Sequence, residues 1–190
     1  MSMTRQAWAV WQNGRRPDPQ HPFLQRHRIG PMQLRQTRHG DLILPLCSRE
    51  AFQGVFLIPW NQERPTLTIG DETAGCVVPT GRIQAGKPLA VVVDWPSAVA
   101  LHKRGMVAWA CLNPKGLSGA AAQARAMLGA DGHLVIAGDN TWEIGRLADH
   151  VACTQGAELL LPGRPLGAPQ WVETFADLER WEAGARRASA

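Results

Sequence analysis

The sequence predicts an α/β protein with a parallel-sheet core, a small β-rich segment before the core and an amphipathic helix after it. Three observations support this fold class. Between residues 86 and 165, short apolar runs alternate with helix-like segments, as in right-handed βαβ units. Residues 41–85 hold short apolar runs separated by Gly, Pro and acidic turns. Residues 166–190 carry apolar side chains at helical spacing.

Residues 1–40 are predicted to form a basic N-terminal arm with short helices. Residues 5–12 suit a short helix that carries Trp8 and Trp11. The stretch "NGRRPDPQHP" is rich in turn-forming residues and indicates a linker. In "HPFLQRHRIG" a proline stands where a helix can begin and a glycine where it can end, so a second short helix is expected.

Residues 41–85 are predicted to form a β-rich subdomain, either a small antiparallel sheet or a set of hairpins. Its strand-like runs are "DLILPL", "GVFLIPW", "PTLTIG" and "GCVVPTG". Each run is short and is bounded by turn-forming residues, which is typical of antiparallel strands rather than of helices.

Residues 86–165 are predicted to be the α/β core. Strands are expected at 89–94, 106–111, 133–137 and 158–161, with helices at 96–104, 117–129 and 142–155. Ligands of open α/β sheets bind outside the carboxyl ends of the strands. The residues to inspect therefore follow the strands, at 94–95, 113–115 and 138–141.

Residues 166–190 are predicted to form a C-terminal amphipathic helix. Its apolar face is expected to comprise Trp171, Phe175, Leu178 and Trp181, which recur at intervals of three or four residues.

Composition favours a protein of the cytoplasm. No apolar run approaches the roughly 20 residues that cross a bilayer, and the N-terminal segment does not resemble a signal peptide. The four cysteines are widely separated and lie in apolar contexts, so buried free thiols are expected rather than a zinc site or disulfides.

Positive charge is concentrated at the N-terminus, where seven arginines stand against one acid in the first forty residues. Such a bias indicates a polyanionic partner, most simply nucleic acid; the alternative is a solvated arm. Residues predicted to bind nucleic acid are Arg15, Arg16, Arg26, Arg28, Arg35, Arg38, Lys103, Arg104, Lys115 and Trp95. Trp95 is included because an aromatic ring at a sheet edge can stack on an unpaired base, although packing in the core is the alternative.

Several common catalytic motifs are missing from the sequence. There is no G-x-G-x-x-G, no G-x-x-x-x-G-K-[ST] and no G-x-S-x-G. Dinucleotide binding, P-loop hydrolysis and α/β-hydrolase chemistry are therefore not predicted.

The order "HPFLQRHRI … DLILPLCSREAFQGVFLIPWNQERPTLTIGDETAGCVVPTG … KPLAVVVDWPSAVALHKRGMVAWACLN … HLVIAGDNT" resembles the Toprim-containing region of plasmid and phage DNA primases. The resemblance covers roughly residues 20–165. It implies a Toprim-like core in which a glutamate after the first strand and paired aspartates after the third support Mg²⁺-dependent phosphoryl transfer. Mg²⁺ prefers such hard oxygen ligands, and it offsets charge that develops on phosphate oxygens.

The chain departs from this pattern at the catalytic positions. Ungapped alignment on "AVALH" sets Val93 at the position of the family glutamate and Asp94 at that of the following glycine. Thr141 stands in place of the second aspartate, and Asp139 remains. The candidate catalytic residues are thus Asp94, Asp139 and Glu143, and Asp139 is the candidate metal ligand. Two structural alternatives are that Asp94 is a turn carboxylate and that Asp139 caps the helix at 142–155.

The sequence accordingly favours a catalytically degenerate, primase-related module in plasmid or phage replication or transfer, acting without a cofactor. Its expected partners are single-stranded or primed DNA, a helicase, a single-strand-binding protein or other replication proteins, and not a membrane. One alternative is an active Mg²⁺-dependent primase or nuclease with a rearranged acidic site. The other is an adaptor that binds only proteins.

Overall fold

The computed structural model describes residues 2–49, 51–61, 65–71 and 73–188. The chain divides into two compact units, Met1–Val78 and Pro79–Ala190. In the described part of the chain, no helix combines the length and the apolarity needed to cross a membrane.

The first unit contains two helices and an antiparallel sheet. The helices are α1 (Met3–Gln12) and α2 (Pro22–His27). The strands are β1 (Arg35–Gln36), β2 (Leu42–Ser48), β3 (Ala51–Ile58) and β4 (Leu67–Gly70), in the spatial order β1-β2-β3-β4. Every neighbouring pair is antiparallel, as predicted. The fourth predicted strand-like run, "GCVVPTG", belongs to the other sheet instead.

Helix α1 packs on this sheet through its apolar side. Ala7 is fully buried among Ile43, Val55 and Ile69, and Trp11 packs against the same cluster. Asp71, just after β4, accepts hydrogen bonds from the backbone N–H groups of Met3 and Thr4, both at 3.0 Å. These bonds, led by that of Thr4, lower the pKa of Asp71 to about 2 and fix the first turn of the helix to the sheet.

The second unit is an α/β domain that follows a short strand, β5 (Val78–Pro79). Its strands are β6 (Leu89–Val92), β7 (Val107–Ala110), β8 (Leu134–Ala137) and β9 (Glu158–Leu160). Its helices are α3 (Trp95–Lys103), α4 (Leu117–Leu128), α5 (Trp142–Gln155) and α6 (Phe175–Ala188), with a short 3-10 turn at Pro114–Gly116.

The strand order in this sheet is β5-β7-β6-β8-β9. β6 is parallel to both β7 and β8, and β8 is parallel to β9, so the predicted parallel core is confirmed. All residues of β6, β7 and β8 are buried, as expected for a parallel sheet covered on both faces.

Successive strands are added to the sheet first on one side of β6 and then on the other. From β6 the chain moves to β7 on one side and then crosses to β8 on the other. Right-handed connections therefore put α3 and α4 on opposite faces, where α3 packs with α6 and α4 packs with α5. The carboxyl ends of β6 and β8 flank the switch point at which ligands of open α/β sheets bind.

The C-terminal helix is confirmed but is shorter than its apolar pattern suggests. Phe175 and Leu178 are buried, whereas Trp171 lies before the helix and is 47% exposed. The helix begins after Thr174, whose N–H and hydroxyl donate to the Asp177 carboxylate while the Asp177 N–H donates back to the hydroxyl. This reciprocal arrangement resembles a capping box and sets the start of the helix.

Candidate functional site

Asp94 and Asp139 follow β6 and β8 and stand on either side of the switch point. Asp94 is the N-cap of α3, since its Oδ1 accepts a hydrogen bond from the Ser97 N–H at 2.8 Å. Burial raises the pKa of the Asp94 carboxyl, and the negative charge of Asp139 raises it slightly further. Asp94 is therefore a half-buried helix cap, whereas the sequence suggested only a turn carboxylate as the structural alternative.

Asp139 forms the turn between β8 and α5. The N–H of Thr141 donates to Asp139 Oδ1 at 2.8 Å, and the Thr141 hydroxyl donates to the same oxygen. The expectation that Asp139 caps the helix is wrong, because the N-cap is Thr141, whose hydroxyl oxygen accepts from the Ile144 N–H. The helix begins at Trp142, so the capping position falls two residues beyond Asp139.

The ligand set does not fit a catalytic Mg²⁺ ion. Val93 supplies no side-chain oxygen, and the Thr141 hydroxyl is engaged with Asp139 and Ile144. The third candidate, Glu143, is exposed in the first turn of α5, where a carboxylate is favoured by the helix dipole. Among the described residues, no three or more His, Cys, Asp or Glu side chains gather as a metal site.

Cys111 lies at the same edge of the sheet, immediately after β7. Its thiol donates to the Asn113 carbonyl at 3.1 Å. Burial raises the pKa of this thiol to about 11, and Asp94 contributes a smaller effect in the same direction. A thiol with such a pKa remains protonated at neutral pH and is a poor nucleophile.

The residues of the second unit that were predicted to bind nucleic acid have different environments. Trp95 is 1% exposed, so its ring packs in the core and is covered on both faces. Lys103 pairs with Glu179 at 3.5 Å, and Arg104 pairs with Glu182 at 3.1 Å. These two cations end α3 and lie toward the amino edge of the sheet, away from the switch point. Lys115 is exposed in the turn after β7.

The arginines predicted in the first unit fall into two groups. Arg35 is structural: its guanidinium donates to the carbonyls of Trp11 at 2.8 Å and Gln12 at 3.2 Å, and it lies 4.7 Å from the Trp11 ring centroid. The others are exposed, and within the described ranges none of them pairs with a carboxylate: Arg15, Arg16, Arg26, Arg28 and Arg38. Glu50 and Glu63, two acids of this unit that could pair with such arginines, lie outside the described residues.

A polar pocket of about 450 Å³ brings three of these arginines together. It is lined by residues 14–17 and 31–35, which include Arg15, Arg16 and Arg35. Gly14 is required beside it, because an added Cβ would lie 2.7 Å from Arg35 Cβ and 2.8 Å from Ile43 Cδ1. Arg15 and Arg16 are exposed at this concavity, and their guanidinium groups are suited to an anion, whereas that of Arg35 is held by the carbonyls of Trp11 and Gln12.

Two exposed tryptophans were not predicted as functional residues. Trp142 is 78% exposed at the start of α5, and Trp171 is 47% exposed before α6. An arginine lies over each ring: Arg146 at 4.9 Å from the Trp142 centroid and Arg180 at 4.8 Å from that of Trp171. The spacing "WEIGR", with Trp and Arg four residues apart on a helix, is a signal that could have identified the first pair.

Comparison with known proteins identifies no relative of this chain. No family model, no curated protein and no solved structure matches the chain.

Proposed function

We propose that this chain is a nucleic-acid-binding module of the primase-related, Toprim-like kind, and that it binds single-stranded or primed DNA without carrying out phosphoryl transfer. Such a module would act in the cytoplasm during plasmid or phage replication or transfer, beside a helicase or a single-strand-binding protein. The observation that supports it best is the set of five exposed arginines without a carboxylate partner in the described part of the first unit.

Unpaired arginines favour a phosphate partner for a physical reason. A guanidinium that already pairs with a protein carboxylate gains little by exchanging that carboxylate for a phosphate. An exposed, unpaired guanidinium can form bidentate hydrogen bonds with a phosphate and release condensed counterions from the nucleic acid. The pocket lined by Arg15 and Arg16 would hold one such phosphate group.

The carboxyl edge of the parallel sheet supports the non-catalytic part of the proposal. Asp94 serves as a half-buried helix cap, and Asp139 holds the turn to Thr141. Both carboxylates therefore stabilise local backbone structure. The position aligned with the family glutamate is Val93, which is apolar.

A second candidate function, an active Mg²⁺-dependent primase or nuclease, is favoured by one observation. The charge of Asp139 acts on the pKa of Asp94, so the two carboxylates are within electrostatic range of each other. Primer synthesis or strand nicking by the purified chain in Mg²⁺, lost in Asp139→Asn, would establish that activity and reject the non-catalytic proposal.

The binding proposal is tested by fluorescence anisotropy with a labelled single-stranded oligonucleotide. Replacing Arg26 and Arg28 with alanine should weaken binding by roughly tenfold at moderate salt, because two phosphate contacts are lost.

The matched control is the double variant Lys103→Ala with Arg104→Ala. It removes the same formal charge, but from cations that already pair with Glu179 and Glu182. Its affinity should stay close to that of the wild type. Equal losses in the two double variants would mean that only net charge matters. An unchanged affinity in the Arg26 and Arg28 variant would reject these arginines as contacts, and a wild type that binds no DNA at low salt would leave the protein adaptor as the better proposal.

A further inference from the structure

Trp142 is exposed to an unusual degree for the largest apolar side chain. It is the first residue of α5 and keeps 78% of its surface in contact with solvent. Tryptophan is usually well buried, because it gains more than any other side chain from leaving water. Four other tryptophans, Trp11, Trp95, Trp109 and Trp181, are buried or half-buried, and Trp8 and Trp60 are less exposed than Trp142, at 46% and 37%.

The ring of Trp142 is held in place without being covered. Arg146, one helical turn further along α5, sets its guanidinium carbon 4.9 Å from the ring centroid. This contact restrains the indole and brings a positive charge to the ring. The exposed fraction shows that most of the ring surface remains accessible.

Trp171 repeats this arrangement on a neighbouring segment. Arg180 lies 4.8 Å from its ring centroid, and the same guanidinium is fixed by Asp177 at 2.7 Å. The exposed fraction of Trp171 is 47%. The unit therefore displays two indoles, each supported by an arginine that belongs to a helix.

Asn140 joins the two segments. Its N–H donates to the Glu173 carbonyl at 2.8 Å, and its side-chain amide donates to the carbonyls of Gly163 at 3.0 Å and Val172 at 3.2 Å. The residue lies two positions before Trp142, and two of its acceptors lie directly after Trp171. Both tryptophans are thus anchored through one residue that follows β8, beside the switch point where open α/β sheets bind ligands.

We propose that Trp142, together with Trp171, forms a stacking site for an unpaired nucleobase at the carboxyl edge of the parallel sheet. This inference rests on the proposed function and deepens it, because it assigns the base-binding part of single-strand recognition to residues distinct from the arginines. Aromatic stacking accepts any base, since every base has a π-face, and arginine beside the ring adds cation–π attraction.

The charges around the site favour a base over a phosphate as the bound group. Arg146 is accompanied by Glu143 and Asp149 on the same helix, and Arg180 is paired with Asp177. The edge therefore has no excess of positive charge that would attract a phosphate strongly. A neutral, flat base matches this surface, while the phosphates of the same strand remain in solvent or contact basic residues.

The test compares a single-stranded oligonucleotide with an abasic strand of the same length, which keeps the phosphates and lacks the bases. The wild type should bind the normal strand more tightly than the abasic one. Trp142→Ala should weaken binding of the normal strand about tenfold, as expected for one lost stacking contact, and leave binding of the abasic strand unchanged. Trp142→Phe should recover most of the loss.

Leu166→Ala is the matched control. Leu166 is fully exposed and apolar, lies in the segment before α6 that also carries Trp171, and has no aromatic ring. Its loss should not change affinity for either strand. Because Trp142 is exposed, both variants should melt at the temperature of the wild type, which separates loss of contact from loss of folding.

Four outcomes would overturn the inference. Equal wild-type affinities for the normal and abasic strands would reject base stacking while leaving phosphate binding, and so the proposed function, intact. Equal effects of Trp142→Ala on both strands would do the same. A mononucleotide that binds as tightly as the strand, with the same dependence on Trp142, would make free nucleotide the ligand. A wild type that binds neither strand would reject this inference together with the proposed function.

Discussion

At the residue scale, Asp94 and Asp139 show how two carboxylates at one sheet edge can serve folding. Asp94 follows β6 and is the N-cap of α3, and Asp139 follows β8 and supports the turn to Thr141. A helix cap of this kind contributes about 1 kcal/mol to stability. The chemistry implied by the family resemblance would need these oxygens for a metal ion, and their hydrogen bonds direct them to the backbone instead.

Asp94→Asn should alter the dependence of stability on pH. Burial raises the pKa of Asp94 in the folded state above its value in the unfolded chain, near 4. The favourable contribution of this group is therefore complete at low pH and is lost as pH rises through the folded-state pKa. Asparagine preserves the cap and cannot ionise, so the melting temperature of the variant relative to the wild type should rise as pH increases above about 4. A difference that does not change with pH would show that the ionisation of Asp94 does not affect folding.

Residue environments were the least predictable part of the site. The sequence identified Asp94 and Asp139 because residues that follow parallel strands meet at one edge. It did not distinguish Trp95 from Trp142, since both immediately follow a strand-to-helix turn. The structure buries Trp95 and exposes Trp142. Such a difference depends on packing by segments distant in sequence and not on local pattern.

At the element scale, the βα alternation of the core was predictable because each element has a clear period and clear end signals. Helix α5 begins at Trp142 and ends at Gln155, within the bounds expected from the sequence. The C-terminal helix was predicted to include Trp171, because apolar spacing alone continues through that residue. Hydrogen bonds between Thr174 and Asp177 begin the helix later, and Trp171 is left on the preceding segment.

The turns that follow β6 and β8 also predict the response of the protein to Mg²⁺. Ligand binding raises the melting temperature only in proportion to the occupancy of the folded state. Since the Asp139 carboxylate bonds to Thr141 and Asp94 caps α3, millimolar Mg²⁺ should raise the melting temperature no more than sodium chloride of the same ionic strength. Differential scanning fluorimetry measures both. A Mg²⁺-specific increase that disappears in Asp139→Asn would contradict this account of the turns.

At the scale of the whole molecule, the chain comprises two compact units with different charge. The first, Met1–Val78, contains nine arginines and six acids, and the second is nearly balanced. The sequence predicted the concentration of charge, since counting requires no structure. It did not predict that Arg35 would be tied to the end of α1 or that residues 14–17 and 31–35 would form one pocket, because both depend on the pairing of Arg15 with Gln36.

The most direct test of the central claim, that unpaired arginines of the first unit bind nucleic-acid phosphates, is the salt dependence of single-strand affinity. Each phosphate contact contributes a slope of about −0.7 when the logarithm of the association constant is plotted against that of the salt concentration. We expect a steep slope for the wild type and a slope flatter by roughly one to two units when Arg26 and Arg28 are replaced with alanine. The melting temperature of this variant should be unchanged. A slope identical to that of the wild type, with a lowered melting temperature, would show that these arginines pair with acids such as Asp41, Glu50 or Glu63 and stabilise the fold instead.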